Sequence, residues 1–299
     1  MKSALSNRTS CFLVISAAAL WGGIGVFFNI LSSVGFSQMQ VVAIRVSTAA
    51  LALGIYILAT NRALFRIRLK DCWCFVGTGI VSLAFFNWCY FTAIELTSLA
   101  VAAVLLYTSP IFVMLFSAIL FQERFTPRKL LALLLTFIGC ACMAGILGGT
   151  NGTLSMRGFA IGIGAGIGYA LYSIFGRFAL QKGYDSITIS EYTFLFAALG
   201  SIPLSKIWTA APLFLQPQTL LGALGIGLLC CVFPFILYTK GLAGIETSKA
   251  AILATMEPAV AAFLSFLLYH ESLLGMKGIG ICLVFASVLL LNESAKRKE

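Results

Sequence analysis

Charge is what this chain has least of. Of its 299 residues only 10% are Asp, Glu, Lys or Arg, while 60% are hydrophobic and the mean hydropathy is +1.01. A water-soluble domain carries about a quarter charged residues and about half apolar ones, so an ordinary soluble fold is excluded. Histidine occurs once, and the only aspartates, Asp71 and Asp185, fall between apolar runs. That leaves little from which to build a zinc site, an HExxH helix or a membrane aspartyl dyad. The nine cysteines include no CxxC pair, and most lie inside apolar runs (Cys11, Cys89, Cys140, Cys142, Cys230, Cys231, Cys282). They read as small apolar filler, not as a disulfide framework or metal site. No cofactor is expected. No polar stretch is long enough to fold as a soluble catalytic domain, which makes an intramembrane enzyme the most distant of the functional readings.

Long hydrophobic runs are what the chain does have. A helix needs about 20 apolar residues to cross the hydrocarbon layer, and on that ruler ten spans follow: 11–31, 38–59, 72–93, 98–121, 128–147, 158–181, 187–207, 219–240, 248–269 and 275–292. The fold class is therefore an all-α polytopic membrane protein, with the lipid bilayer as its first partner. Lys2 and Arg8 before an alanine-rich run imitate a signal peptide, but the run continues through Trp21 to Leu31 and reads as an uncleaved first span. With the N-terminus in the cytoplasm, sixteen of the twenty Lys and Arg residues fall on the cytoplasmic side and three (Arg157, Lys206, Lys277) on the other, while Arg45 lies within a span. That bias places both ends in the cytoplasm of a multi-pass protein of the cytoplasmic membrane. The net charge of +10 then reports orientation, not binding to nucleic acid.

One segment is written twice. Residues 110–129 read PIFVMLFSAILFQERFTPRK and residues 258–277 read PAVAAFLSFLLYHESLLGMK, so that Pro110, Glu123 and Lys129 recur 148 residues later as Pro258, Glu271 and Lys277. Tyr90 and Tyr238 share the same offset. The halves 11–147 and 158–292 hold five spans each, an odd number, so the second enters the membrane from the opposite side. Ten transmembrane helices thus form two inverted five-helix repeats, a design that lets a central site open alternately to each face.

The residues that recur also match a family. Thr97, Ser98, Ala102, Ala103, Pro110, Glu123 and Lys129, and again Thr247, Ser248, Ala250, Ala251, Glu257, Pro258 and Glu271, resemble the duplicated signature of the drug/metabolite transporter superfamily, in its ten-helix EamA-type branch. The resemblance runs from about residue 11 to 292. It implies a secondary carrier, commonly an exporter of amino acids or related metabolites, with a cavity lined chiefly by spans 1, 3, 4, 6, 8 and 9. Ser109 stands where the repeat would place a second Glu257, so a coupling role and a local role for that glutamate both stay open.

Within this frame some residue types are out of place in lipid. Pro110 and Pro258 fall mid-span, where a missing N–H loosens a helix, and they read as hinges. Arg45 and Glu257 are ionisable groups inside spans. Glu257 has three readings: a site for a substrate ammonium, a proton carrier, or an acceptor for backbone donors freed beside Pro258. Arg45, similar to an arginine the family often has there, is assigned a structural or gating role, snorkelling outward, with substrate contact as the lesser reading. Glu191 and Lys249 stand near span ends and read as interfacial. Trp73 and Trp208 fit an interfacial belt. Trp21, Gly25 and Phe28 share one helical face, as do their repeat partners Tyr169, Ser173 and Gly176. With Asn87, Trp88, Tyr90, Tyr107, Tyr172, Tyr238 and Thr255, these faces are expected to converge on an aromatic cavity for a small neutral or zwitterionic solute. Gly162, Gly164, Gly166 and Gly168 give two GxxxG patterns, read as close packing within a monomer, with a homodimer face as the other reading. The expected function is export of a small metabolite by alternating access. The alternatives are export of cationic drugs and flipping of a lipid-linked metabolite.

Overall fold

The computed structural model describes residues 5–145, 155–270 and 275–292, and every regular element among them is helical. Ten rods make up the bundle. They are α1 (Asn7–Val34), α2 (Gln38–Thr60), α3 (Leu69–Leu96), α4 (Leu99–Phe121), α5 (Pro127–Met143), α6 (Met156–Gln181), α7 (Ser186–Ser205), α8 (Pro217–Leu242), α9 (Thr247–Tyr269) and α10 (Met276–Asn292). All but α5 and α10 are long and apolar enough to cross a bilayer. Those two have 17 residues each, the short end of the spanning range of about 17 to 25. The protein is an all-α polytopic membrane protein. All nine cysteines are free thiols. Glu271, the repeat partner of Glu123, lies outside the described residues.

Local chemistry fixes where the rods begin. Ser6 Oγ accepts from the Thr9 N–H (3.1 Å) at the start of α1, Thr126 Oγ1 from the Lys129 N–H (3.3 Å) at α5, and Asp185 Oδ1 from the Ile187 N–H (3.0 Å) at α7. Each side chain satisfies one of the donors that a helix start leaves unpaired. Pro127 and Pro217 open the first turns of α5 and α8, where their missing N–H loses nothing.

The 148-residue offset is legible in the backbone. Left-handed residues recur as Gly35 and Gly183, and as Gln122 and His270. Wide π-helical turns occupy Gly77–Ala84 in α3 and Gly225–Val232 in α8. Helix α4 breaks after Leu106 and α9 after Ala254. Packing is paired in the same way: α1 lies on α8 as α6 lies on α3, α1 on α9 as α6 on α4, and α2 on α8 as α7 on α3. The pairs α2–α7 and α5–α10 are each their own counterpart. Only the break of α1 at Gly23 has no partner, since α6 is continuous.

Small residues set these approaches. A Cβ at Gly79 would stand 2.5 Å from Phe196 Cβ and 2.7 Å from the Thr193 carbonyl oxygen of α7, and one at Gly139 would stand 2.9 Å from the Gly280 carbonyl oxygen of α10. Hydroxyls fasten the same seams, Thr193 to Thr78 at 2.7 Å and Thr136 to Ser287 at 2.9 Å. The GxxxG glycines of α6 face α4 through Gly162 and Gly166 and α3 through Gly164 and Gly168, so they pack within this chain. Glu191 and Lys249, read as interfacial from their place near helix starts, are buried between helices, 2% and 7% exposed. Both helices that carry them are enclosed by neighbours, α7 by α2 and α3, and α9 by α1 and α4. The Lys249 Nζ donates to Asn7 Oδ1 at 3.1 Å.

Candidate functional site

A cavity of about 490 Å³ lies between the two halves. It runs toward the end of the bundle where α1 and α3 end and α2 and α4 begin, past Phe28, Asn29, Gln38, Phe91, Ile94 and Leu99. Trp21, Phe28, Asn87, Tyr90, Tyr107, Tyr169, Tyr172, Ser173, Tyr238, Thr255 and Glu257 all line it, as does Arg45. Trp88 does not. On α3 the residues 83, 86, 87, 90, 91 and 94 form one helical stripe facing the cavity. Trp88 stands about 100° from Asn87, beside Phe85 on the outer wall, and is 42% exposed. Pro110 and Pro258 do not line the cavity either, although their neighbours Ser109 and Glu257 do. Each proline lacks the N–H that the carbonyl four residues back would accept, and those carbonyls belong to Leu106 and Ala254, the last residues before the two breaks. The Thr108 and Thr255 hydroxyls donate to the Leu105 and Ile252 carbonyls at 2.6 and 2.5 Å, which steadies backbone that the break leaves open.

The cavity wall is aromatic and its polar groups are mostly satisfied among themselves. Trp21 meets Phe235 and Tyr238 at centroid distances of 5.4 Å, Tyr172 meets Phe235 at 5.0 Å, and Phe28 stacks on Phe91 at 6.1 Å. Such geometries add to the area these rings bury. Ser173 and Tyr238 share a hydrogen bond of 2.6 Å, and Tyr172 and Thr239 one of 2.7 Å. Tyr169 Oη donates to Glu257 Oε2 at 3.2 Å. Arg45 does not snorkel outward: α2 presents it to the cavity, 8% exposed, with its guanidinium donating to Asn87 Oδ1 at 3.4 Å. Asn87 is itself oriented by its Nδ2, which donates to the Leu83 carbonyl at 2.6 Å. Helix α2 is thus a wall that the expected set of six lining spans left out. Phe91, which adjoins Asn87 and Tyr90 in the sequence, also lines the cavity, while Phe86 and Phe235 were missed. The repeat held the signal for the last, since Phe235 stands 148 residues after Asn87.

At the other end of the bundle, short polar contacts tie the halves together. Glu123, just past α4, accepts from the Thr247 N–H (2.6 Å), the Ser248 N–H (3.0 Å) and the Ser248 hydroxyl (2.5 Å) at the start of α9. Burial alone would push this carboxyl up, but the Ser248 and Thr247 donors outweigh it and hold the group below its ordinary value. Lys129 bridges to Glu246 at 2.8 Å, and within the second half Arg177 of α6 donates to Thr247 Oγ1 at 2.9 Å and to the Ile245 carbonyl. Among the described residues no group of three His, Cys, Asp or Glu side chains is placed to hold a metal ion.

Fold and cavity together define a polytopic membrane protein built as two related halves around a central chamber. The chain belongs to the EamA-like transporter family, whose model matches residues 8–145 and again 156–293. It is 31% identical over 215 residues to an uncharacterized transporter of Archaeoglobus fulgidus, covering 71% of this chain and 75% of that one. It is 25% identical over 298 residues to the uncharacterized transporter YwfM of Bacillus subtilis, covering 98% and 96%. It is also 25% identical over 219 residues to the threonine/homoserine exporter RhtA of Salmonella typhimurium, covering 73% and 70%. One solved crystal structure superposes with a TM-score of 0.76 over 97% of this chain and 98% of its own, at 20% identity; that likeness is one of fold.

Proposed function

We propose that this transporter exports a small zwitterionic solute of amino-acid type by alternating access, with both termini in the cytoplasm of the inner membrane. The observation that carries the reading is the cavity itself: seven rods drawn from both halves enclose an aromatic chamber that runs to one end of the bundle, while Glu123 ties α4 to α9 at the other. A chamber shared by two inverted repeats suits a site exposed to one face at a time. The basic residues place its mouth on the outer side, so this arrangement corresponds to the outward-facing stage, with the cytoplasmic end closed. Similarity to a threonine/homoserine exporter favours amino-acid export. A cationic drug is disfavoured by Arg45 in the wall. The residue set offers transport more than it offers catalysis.

Counterflow in proteoliposomes tests this. Vesicles preloaded with neutral and aromatic amino acids, nucleosides or quaternary amines are given labelled solute, with and without a pH gradient. Saturable exchange of amino acids is the expected result. Exchange of quaternary amines alone would overturn it, and so would no exchange of any soluble compound by folded protein, which would turn the reading toward a lipid-linked substrate.

A further inference from the structure

Arg45 enters the cavity poorly matched. Among the described residues its buried Nε has no hydrogen-bond partner, and its one hydrogen bond, to Asn87, is long at 3.4 Å. A guanidinium offers five donors in a planar fork that fits a carboxylate, and a buried cation without a counter-charge is strongly unfavourable. Glu257 lines the same cavity from α9, with a single hydrogen bond, from Tyr169. Among the described residues Arg45 and Glu257 are the only formally charged ones of the lining, and they form no ion pair with each other. The chamber is therefore lined by one guanidinium and one carboxyl group that are not paired with each other.

Resting on the proposed transport of a zwitterionic solute, we infer that Arg45 and Glu257 are the two poles of the substrate site. The carboxylate of an α-amino acid seats on Arg45 beside Asn87, its ammonium seats on Glu257 beside Tyr169, and its side chain lies along the aromatic wall. An α-amino acid carries its two charges on adjacent carbons, so one molecule supplies both missing partners and the loaded chamber stays neutral. A ligand with one charge leaves the opposite pole desolvated and unpaired, which in a low-dielectric site is the larger penalty. Specificity then comes from requiring both charges at once. Arg45 thereby takes the substrate-contact role that was the lesser reading of its place in the span.

The test uses the purified full chain and ligand-induced thermal stabilisation. The standard L-amino acids are screened, and the best stabiliser is compared with its decarboxylated amine and its deaminated acid. On the wild-type chain each one-charge analogue is expected to bind at least about tenfold more weakly. Arg45→Gln should weaken the amino acid by a similar factor and leave the amine unchanged. Glu257→Gln should weaken the amino acid and leave the acid unchanged. An amine that binds the wild-type chain as tightly as the amino acid overturns the inference, and that comparison needs no variant to fold. Amino-acid binding that is indifferent to Arg45→Gln overturns it too, while leaving the transport reading intact. If no amino acid stabilises folded protein, the substrate class itself is wrong and the inference falls with it.

Discussion

Ser248 gives Glu123 two hydrogen bonds, one from its backbone N–H at 3.0 Å and one from its hydroxyl at 2.5 Å, both to Oε2. The carboxylate thereby caps the start of α9, a helix belonging to the other repeat, and its charge suits the positive end of that helix. Hydrogen bonds to a charged group contribute about 1.5–3 kcal/mol each. Glu123→Gln keeps the shape but loses the charge, and it should lower stability at pH 7 by about 2 kcal/mol. Because the folded carboxyl is held below its ordinary value, its contribution is present above the unfolded value of about 4.3 and is lost as pH falls through the folded one. Melting of the wild type and of Glu123→Gln should therefore differ at neutral pH and converge in acid. Parallel curves at every pH would show that the carboxylate does not hold this joint.

Gly79 marks a second joint, where the π-helical turns of α3 press on α7. The atoms a Cβ would strike include the Thr193 carbonyl at 2.7 Å and the Ala197 nitrogen at 2.8 Å, which are backbone and cannot rotate away. Gly79→Ala should destabilise by about 1–3 kcal/mol through overpacking, against the gain of about 1 kcal/mol that alanine brings to an unconstrained helix. Thermal melting in detergent decides the sign. A variant as stable as the wild type would mean that α3 and α7 can separate freely.

Much of the architecture could be read from the chain because lipid imposes a strict grammar. Run lengths located the rods, and Pro110 and Pro258 located the breaks in α4 and α9, since a missing donor acts locally. Spacing alone brought out Asn87 and Tyr90 on one face of α3, and Trp21, Gly25 and Phe28 line the cavity although α1 breaks at Gly23 between them. Reading failed where facing depends on which neighbour covers a helix. Trp88 was placed inside because it is a tryptophan away from a span end, but helical rotation puts it on the outer wall one residue after Asn87. Glu191 and Lys249 were read from their distance to span ends, a measure blind to the neighbours that close around them, and Arg45 was read as snorkelling outward although α2 turns it to the cavity. The π-helical turns at Gly77–Ala84 and Gly225–Val232 left no periodic trace, because they change the helical period itself.

Pro258 offers a test of movement separate from binding. In Pro258→Ala the restored N–H can bond the Ala254 carbonyl, which favours a straight α9 by about 1 kcal/mol, or about fivefold in the bent-to-straight population. If the break serves as a hinge, counterflow should slow by roughly that factor while affinity, measured by thermal stabilisation, stays the same. A fall in affinity with the rate of exchange unchanged would make the proline a shaping residue of the chamber instead.

Gly25 separates the size of the chamber from the stability of the fold. It lines the cavity, and a Cβ built on it meets nothing within 4 Å, so its environment is open where that of Gly79 is filled. Gly25→Leu therefore adds a side chain to the space reserved for the solute and should leave melting unchanged or slightly raised, since leucine is the better helix former by about 0.8 kcal/mol. The repeat partner Ser173 already carries a side chain at the matching position of α6, hydrogen-bonded to Tyr238, so the extra room lies on the α1 side of the chamber. Binding of amino acids with large side chains should then fall by about tenfold or more, the effect of a clash of roughly 1.4 kcal/mol, while small ones such as alanine and serine keep their affinity. The two measurements together discriminate. An equal loss for large and small amino acids would place the side chain of the solute elsewhere, and a loss of stability would mean that α1 packs against a neighbour at this point.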